Sequence, residues 1–137
     1  MSERVFVDTN VFVYADDKSA KTKRVRARKV LSELIRTRRA VVSTQIMQEY
    51  FAAATRKLGL SPDRARSRVE RLGRLDVVIV RPELILGAVD LCRLHGLSFW
   101  DALVVRSASA AGCGRLLSED LQDGQTIDGV RIENPFG

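Results

Sequence analysis

Histidine occurs once in this chain of 137 residues, and cysteine only twice. The lone His95 sits just before Gly96, where a helix end is predicted and a polar or cationic residue is unremarkable. One histidine excludes a two-histidine acid–base pair and every multi-histidine metal site. Cys92 and Cys113 lie among apolar or small residues. They are too few for a disulfide framework, lack the clustered spacing of a zinc site, and read as buried thiols. No apolar run approaches the length of a membrane span. The first residues lack the basic start, apolar middle and small-residue cleavage site of a secretory leader. A soluble, cytoplasmic protein is therefore expected. Any hydrolysis it performs must rest on carboxylates.

What the chain does have is positive charge. Lys and Arg number 23 against 17 Asp and Glu, a formal net charge of +6. Such a balance favours polyanionic partners (RNA, DNA or an acidic protein segment), although solubility alone would also account for it. A hydrophobic fraction of 45% suffices for a core of normal size. With no internal repeat, low-complexity stretch or linker, residues 1–137 are expected to form one domain.

Apolar periodicity orders the chain. Val5-Phe6-Val7 predicts a short buried strand, ended by Asp8, with Thr9-Asn10 as helix-capping candidates and a helical turn over 11–15. Ala27, Val30, Leu31, Leu34 and Ile35 make one face of a helix over 24–39, whose other face is crowded with arginine and lysine. That density of like charge is better explained by an anionic neighbour than by solvation. Ala40-Val41-Val42 predicts the second strand, and Ser43 or Thr44 caps a helix over 45–58. There Met47, Phe51, Ala54 and Leu58 are the expected core stripe, with Glu49 in an adjoining stripe beside Ile46 and Tyr50. Ser61-Pro62 starts another helix, with a basic outer face. Val77–Val80, nearly all β-branched, predicts a central or buried third strand. Pro82 opens a helix whose apolar residues are Ile85, Val89 and Cys92, ending at His95-Gly96. Ser98 begins the next, and Arg115-Leu116-Leu117 and Val130-Arg131-Ile132 predict two further strands. Strands alternating with helices indicate an α/β fold, a mainly parallel sheet of four to five strands between helical layers.

Right-handed crossovers put the carboxyl ends of parallel strands on one edge. Asp8, Glu49 and Asp120 belong to that edge or its first turns, and Asp101 to the first turn of the helix leading into the fourth strand. Singly each has a structural reading. Asp8 suits an N-cap, Asp101 a capping box with Ser98, Asp120 a turn, and Glu49 a surface pair with Arg56 or Lys57. Together, carboxylates in one cleft repel each other unless cations neutralise them, and no lysine or arginine adjoins Asp8 or Asp101 in sequence. A nitrogen-free oxygen site suits Mg²⁺ or Mn²⁺. One or two such ions would orient a phosphodiester, lower the pKa of an attacking water and stabilise the leaving oxygen.

These motifs resemble a PIN domain, and within that family a VapC-type ribonuclease toxin of a toxin–antitoxin pair. The resemblance rests on Val5-Phe6-Val7-Asp8-Thr9-Asn10, Ser43 with Glu49, Ser98-Phe99-Trp100-Asp101-Ala102-Leu103, Leu116-Leu117-Ser118-Glu119-Asp120, and the ending Asn134-Pro135-Phe136. It implies a Mg²⁺-dependent endoribonuclease (Mn²⁺ as the alternative metal) leaving a 3′-hydroxyl and a 5′-phosphate. By position Asp8 and Asp101 would be the principal metal ligands. Glu49 would complete the site directly or through water, and Asp120 would be the fourth acid. Thr9, Asn10 and Ser118 match the supporting polar residues, Ser118 standing where threonine is commoner in the family. Glu119 and Asp123 lie close enough in sequence to compete with Asp120. The implied partners are an RNA substrate, a VapB-type antitoxin and a second copy of the chain.

Three other functions fit the residues less well. A haloacid-dehalogenase-type phosphatase needs a second aspartate two residues after the first, where Asn10 stands. A receiver-type module needs an acceptor aspartate after the third strand, where Arg81-Pro82 stands. A noncatalytic PIN-like RNA-binding domain has no need of all four acids. Phe99 and Trp100 are expected to pack in the core, with base stacking as the alternative.

Overall fold

A computed structural model describes residues 3–137. Asp8 ends β1 (Val5–Val7) and caps α1 (Thr9–Ala15). The basic helix α2 (Lys21–Arg36) begins and ends three residues earlier than its apolar face suggests. Ser43 ends β2 (Ala40–Ser43), and its hydroxyl accepts from the Ile46 amide to start α3 (Thr44–Arg56). The same device, Ser61 with Pro62 at the first helical position, starts α4 (Pro62–Leu72). Strand β3 (Asp76–Val78) leads to α5 (Pro82–His95), which stops at Gly96 in the left-handed region, φ 68°. Ser98 caps α6 (Phe99–Ala110), and β4 (Arg115–Leu117) follows.

Among the described residues the sheet has six strands, ordered β3-β2-β1-β4-β6-β5, with β5 (Thr126–Ile127) and β6 (Val130–Glu133) as its last two. Every pairing is parallel except β5 with β6. The extra strand belongs to a hairpin whose two-residue turn, Asp128-Gly129, takes positive φ at both positions. An Asp-Gly pair favours that tight turn, and it lets Thr126-Ile127 pair although the segment is too short to show a pattern of its own.

Val77–Val80 is corrected on two counts. The strand is Asp76–Val78, and it lies at the sheet edge, half exposed, rather than at the centre. Thr44 Oγ1 accepts from the Val80 amide instead of a neighbouring strand doing so. In α3 the buried stripe is Ile46, Tyr50 and Ala54, and Phe51 is 40% exposed. Tyr50 can lie inside because its hydroxyl donates to Asp16 Oδ2 at 2.6 Å. In α5 the inward residues are Ala88 and Leu91, whereas Ile85 and Val89 face outward. Helix α5 packs along α6, and a Cβ on Gly87 would fall 2.8 Å from Arg106 Nε. Cys113 is buried and Cys92 half-buried.

From β1 the chain steps outward to β2 and then β3, and it returns past β1 to β4. Right-handed crossovers on opposite sides of β1 place α1–α4 on one face of the sheet and α5–α6 on the other. The strand order reverses between β1 and β4, and in open α/β sheets the ligand crevice lies outside the carboxyl ends of the strands at such a reversal. Asp8 and Ser118-Glu119-Asp120 flank it.

Candidate active site

The fully buried β1 and its neighbour β4, buried at Leu116 and Leu117, carry Asp8 and Ser118 side by side at their carboxyl ends. The Asp8 amide donates to the Leu117 carbonyl at 3.0 Å, extending the ladder one step past Val7. The Asp8 carboxylate, only 4% exposed, accepts from the Thr9 amide and from Ser118 Oγ, each at 2.7 Å. Burial pushes this carboxyl up to about 6, with the charges of Asp120 and Glu49 adding and the Ser118 and Thr9 donors opposing. Asp8 is thus both the helix cap and a strained anion.

Asn10 ties the two strand ends together. Its Nδ2 donates to Asp120 Oδ2 at 3.2 Å and to Asp8 Oδ2 at 3.4 Å, and its Oδ1 accepts from the Glu119 amide at 3.2 Å. Thr9 reaches the other way, its hydroxyl donating to Glu49 Oε1 at 2.7 Å. Glu49 Oε2 accepts from Gln45 Nε2 at 3.1 Å. No ion pair joins Glu49 to Arg56 or Lys57 among the described residues. Asp101 lies in the first turn of α6, where Ser98 Oγ accepts from its amide at 3.1 Å as the N-cap. Its carboxyl is also raised, first by burial and then by Asp120 and Glu49, against the Ser98 hydroxyl.

Asp8 and Asp101 therefore each feel both Glu49 and Asp120. The described residues place no lysine or arginine in an ion pair with any of the four. Nor, as the side chains stand, do three of them converge closely enough to grip one ion. Mg²⁺ does not require that: it commonly takes one or two carboxylates and fills its octahedron with water and substrate phosphate. An all-oxygen donor set, unneutralised and partly desolvated, fits a hard divalent cation.

Glu119 and Asp123 are engaged elsewhere. Glu119 accepts from Tyr14 Oη at 2.7 Å and Lys23 Nζ at 2.5 Å. Burial raises its carboxyl, but these two donors outweigh that and hold it below the ordinary value. Lys23 Nζ also stands 4.7 Å from the Tyr14 ring centre, and Tyr14 meets Phe136 edge-on at 4.9 Å. Asp123 accepts from the Asn134 amide at 2.8 Å. The aromatic pair divides: Phe99 packs on the core, while Trp100 is 62% exposed beside Asp101.

Gln45 was not among the residues the sequence singled out. It is 4% exposed, and its Nε2 donates both to Glu49 and to the Trp100 carbonyl at 3.2 Å. The i, i+4 spacing of Gln45 and Glu49 was the available signal for the first contact.

Solved structures share this architecture. A toxin–antitoxin complex from Klebsiella pneumoniae is 17% identical, covering 96% of this chain and 98% of its own, with a TM-score of 0.69. A DNA-bound VapBC from Salmonella typhimurium is 20% identical over 98% and 99%, with a TM-score of 0.68. A sarcin–ricin-loop-cleaving toxin of Mycobacterium tuberculosis is 20% identical over 82% and 86%, with a TM-score of 0.61. At such identities the likeness speaks for the fold. No curated protein matches the chain significantly. The PIN domain family model matches residues 5–122, from β1 through the Asp120 loop, and the chain belongs to the PIN domain family.

Proposed function

We propose that the protein is a Mg²⁺- or Mn²⁺-dependent endoribonuclease and the toxin of a toxin–antitoxin pair. The observation that carries this reading is the set of four carboxylates at the switch point of the sheet, with no lysine or arginine paired to them among the described residues. Asp8 and Asp101 would be the principal ligands, with Glu49 and Asp120 completing the site. When bound, the metal would neutralise these acids, orient the scissile phosphate and stabilise developing negative charge.

The chain's own residues do the rest. The Thr9 amide and Ser118 hydroxyl hold Asp8 in one rotamer. Asn10 fixes Asp120 relative to Asp8, and Thr9 with Gln45 aims Glu49. Water attacks in line, the bond from phosphorus to O3′ breaks, and O3′ leaves with a proton, giving a 3′-hydroxyl and a 5′-phosphate. In this reading Glu49 takes the proton of the attacking water. Exposed Trp100 offers a ring on which a base can stack, and the basic faces of α2 and α4 attract the phosphate backbone.

A likeness in fold to toxins of toxin–antitoxin complexes supports an antitoxin as the protein partner. The protein is further proposed to dimerise. Removing the acids tests the catalytic reading. Asp8→Asn and Asp101→Asn should each abolish cleavage of a structured RNA while keeping the wild-type circular dichroism spectrum; a folded Asp8→Asn variant that still cuts at the wild-type rate would refute it. Expression without an antitoxin should arrest growth, and harmless expression of the active nuclease would refute the toxin role.

A further inference from the structure

Gln45 is buried at the second position of α3, yet half of its amide is unmatched. Its nitrogen has two acceptors, Glu49 Oε2 at 3.1 Å and the Trp100 carbonyl at 3.2 Å, whereas its buried Oε1 has no hydrogen-bond partner among the described residues. Because a carboxylate and a carbonyl face the same end, the amide cannot turn round: its oxygen would then oppose both. A buried unpaired acceptor is costly. A methionine or leucine would fill the same space without that cost, so packing alone does not explain an amide here.

What the amide does is join two elements that carry different acids. Glu49 stands one turn further along α3, and Trp100 immediately precedes Asp101 on α6. We propose that Gln45 is a positioning residue of the site. Its NH₂ group bridges Glu49 to the first turn of α6 and so sets the separation and aim of Glu49 and Asp101 for the divalent cation. Thr9 holds the other oxygen of Glu49, so each oxygen of the carboxylate is held by a donor from a different residue. The inference rests on the reading of the crevice as a metal-dependent nuclease site.

The test is Gln45→Met, which keeps the volume and removes both amide groups. Loss of a residue that orients a ligand should weaken Mn²⁺ binding to the metal-free protein by roughly 10-fold to 100-fold in calorimetric titration. kcat for RNA should fall comparably with KM little changed, and the melting temperature of the metal-free protein should be unchanged or higher. In a Glu49→Gln background the same substitution should cost less, because one of the two acids it positions is already gone. Unaltered Mn²⁺ affinity in a folded Gln45→Met protein would overturn the proposal, as would an undiminished effect in the Glu49→Gln background. If the Met variant does not fold, Gln45→Asn, which keeps the amide one methylene short, should give the same loss of Mn²⁺ affinity, and normal affinity would again overturn it. A wild type that binds Mn²⁺ but cuts no RNA would refute the nuclease reading, while the Mn²⁺ titrations would still decide the role of Gln45.

Discussion

Asp8 is buried as a cap and raised as an acid, and the two facts have opposite consequences for stability. With its folded pKa near 6 against an ordinary 3.8, the unfolded chain releases this proton at lower pH than the folded one. Between about pH 4 and 6 the folded state therefore holds more protons, and this group's contribution to stability falls as pH rises, by roughly 3 kcal/mol at most. Asp8→Asn should flatten that fall and raise the melting temperature of the metal-free protein at pH 7. Added Mg²⁺ should then stabilise the wild type but not the variant. Scanning calorimetry in EDTA and in Mg²⁺ reads both effects. Thr9→Val removes the hydroxyl that grips Glu49 and should lower kcat by about 10–100-fold. The four acids were legible in the sequence because three stand at or just beyond strand ends and the fourth in the first turn of a helix. Gln45 was not, because one of its acceptors is a backbone carbonyl 55 residues away.

At the scale of elements, hydroxyl caps were the clearest sequence signals: Ser43, Ser61 and Ser98 each accept from the amide three residues on. Ser61→Ala should destabilise by roughly 1 kcal/mol, read by urea titration. Which face of a helix turns inward was less legible. In α3, two adjacent apolar stripes compete, and the choice depends on Asp16, at the end of α1, receiving the Tyr50 hydroxyl. In α5, which packs along α6, Ala88 and Leu91 are buried rather than Ile85 and Val89. The Asp120 loop gives a sharper prediction. Since Glu119 is held by Lys23 and Tyr14, Glu119→Gln should keep cleavage within a few-fold of wild type in a single-turnover assay, whereas Asp120→Asn should lower it far more.

For the molecule as a whole, topology makes the site: reversing strand order at β1 opens the crevice where Asp8 and the Asp120 loop meet. That order was not readable from periodicity, which finds strands but not their neighbours. Net charge was readable, and it predicts RNA affinity that falls steeply with added salt. The outward face of α5 carries Ile85, Leu86 and Val89, an exposed apolar surface suited to self-association. Leu86→Lys should convert the proposed dimer to monomer in sedimentation equilibrium without loss of fold. The central claim is that carboxylates acting through a divalent cation cut RNA. Its most direct measurement is cleavage of a structured RNA by protein stripped with EDTA, before and after Mg²⁺ or Mn²⁺ is restored. The prediction is no cutting in EDTA and full recovery on adding metal. Undiminished cleavage in excess EDTA would contradict it.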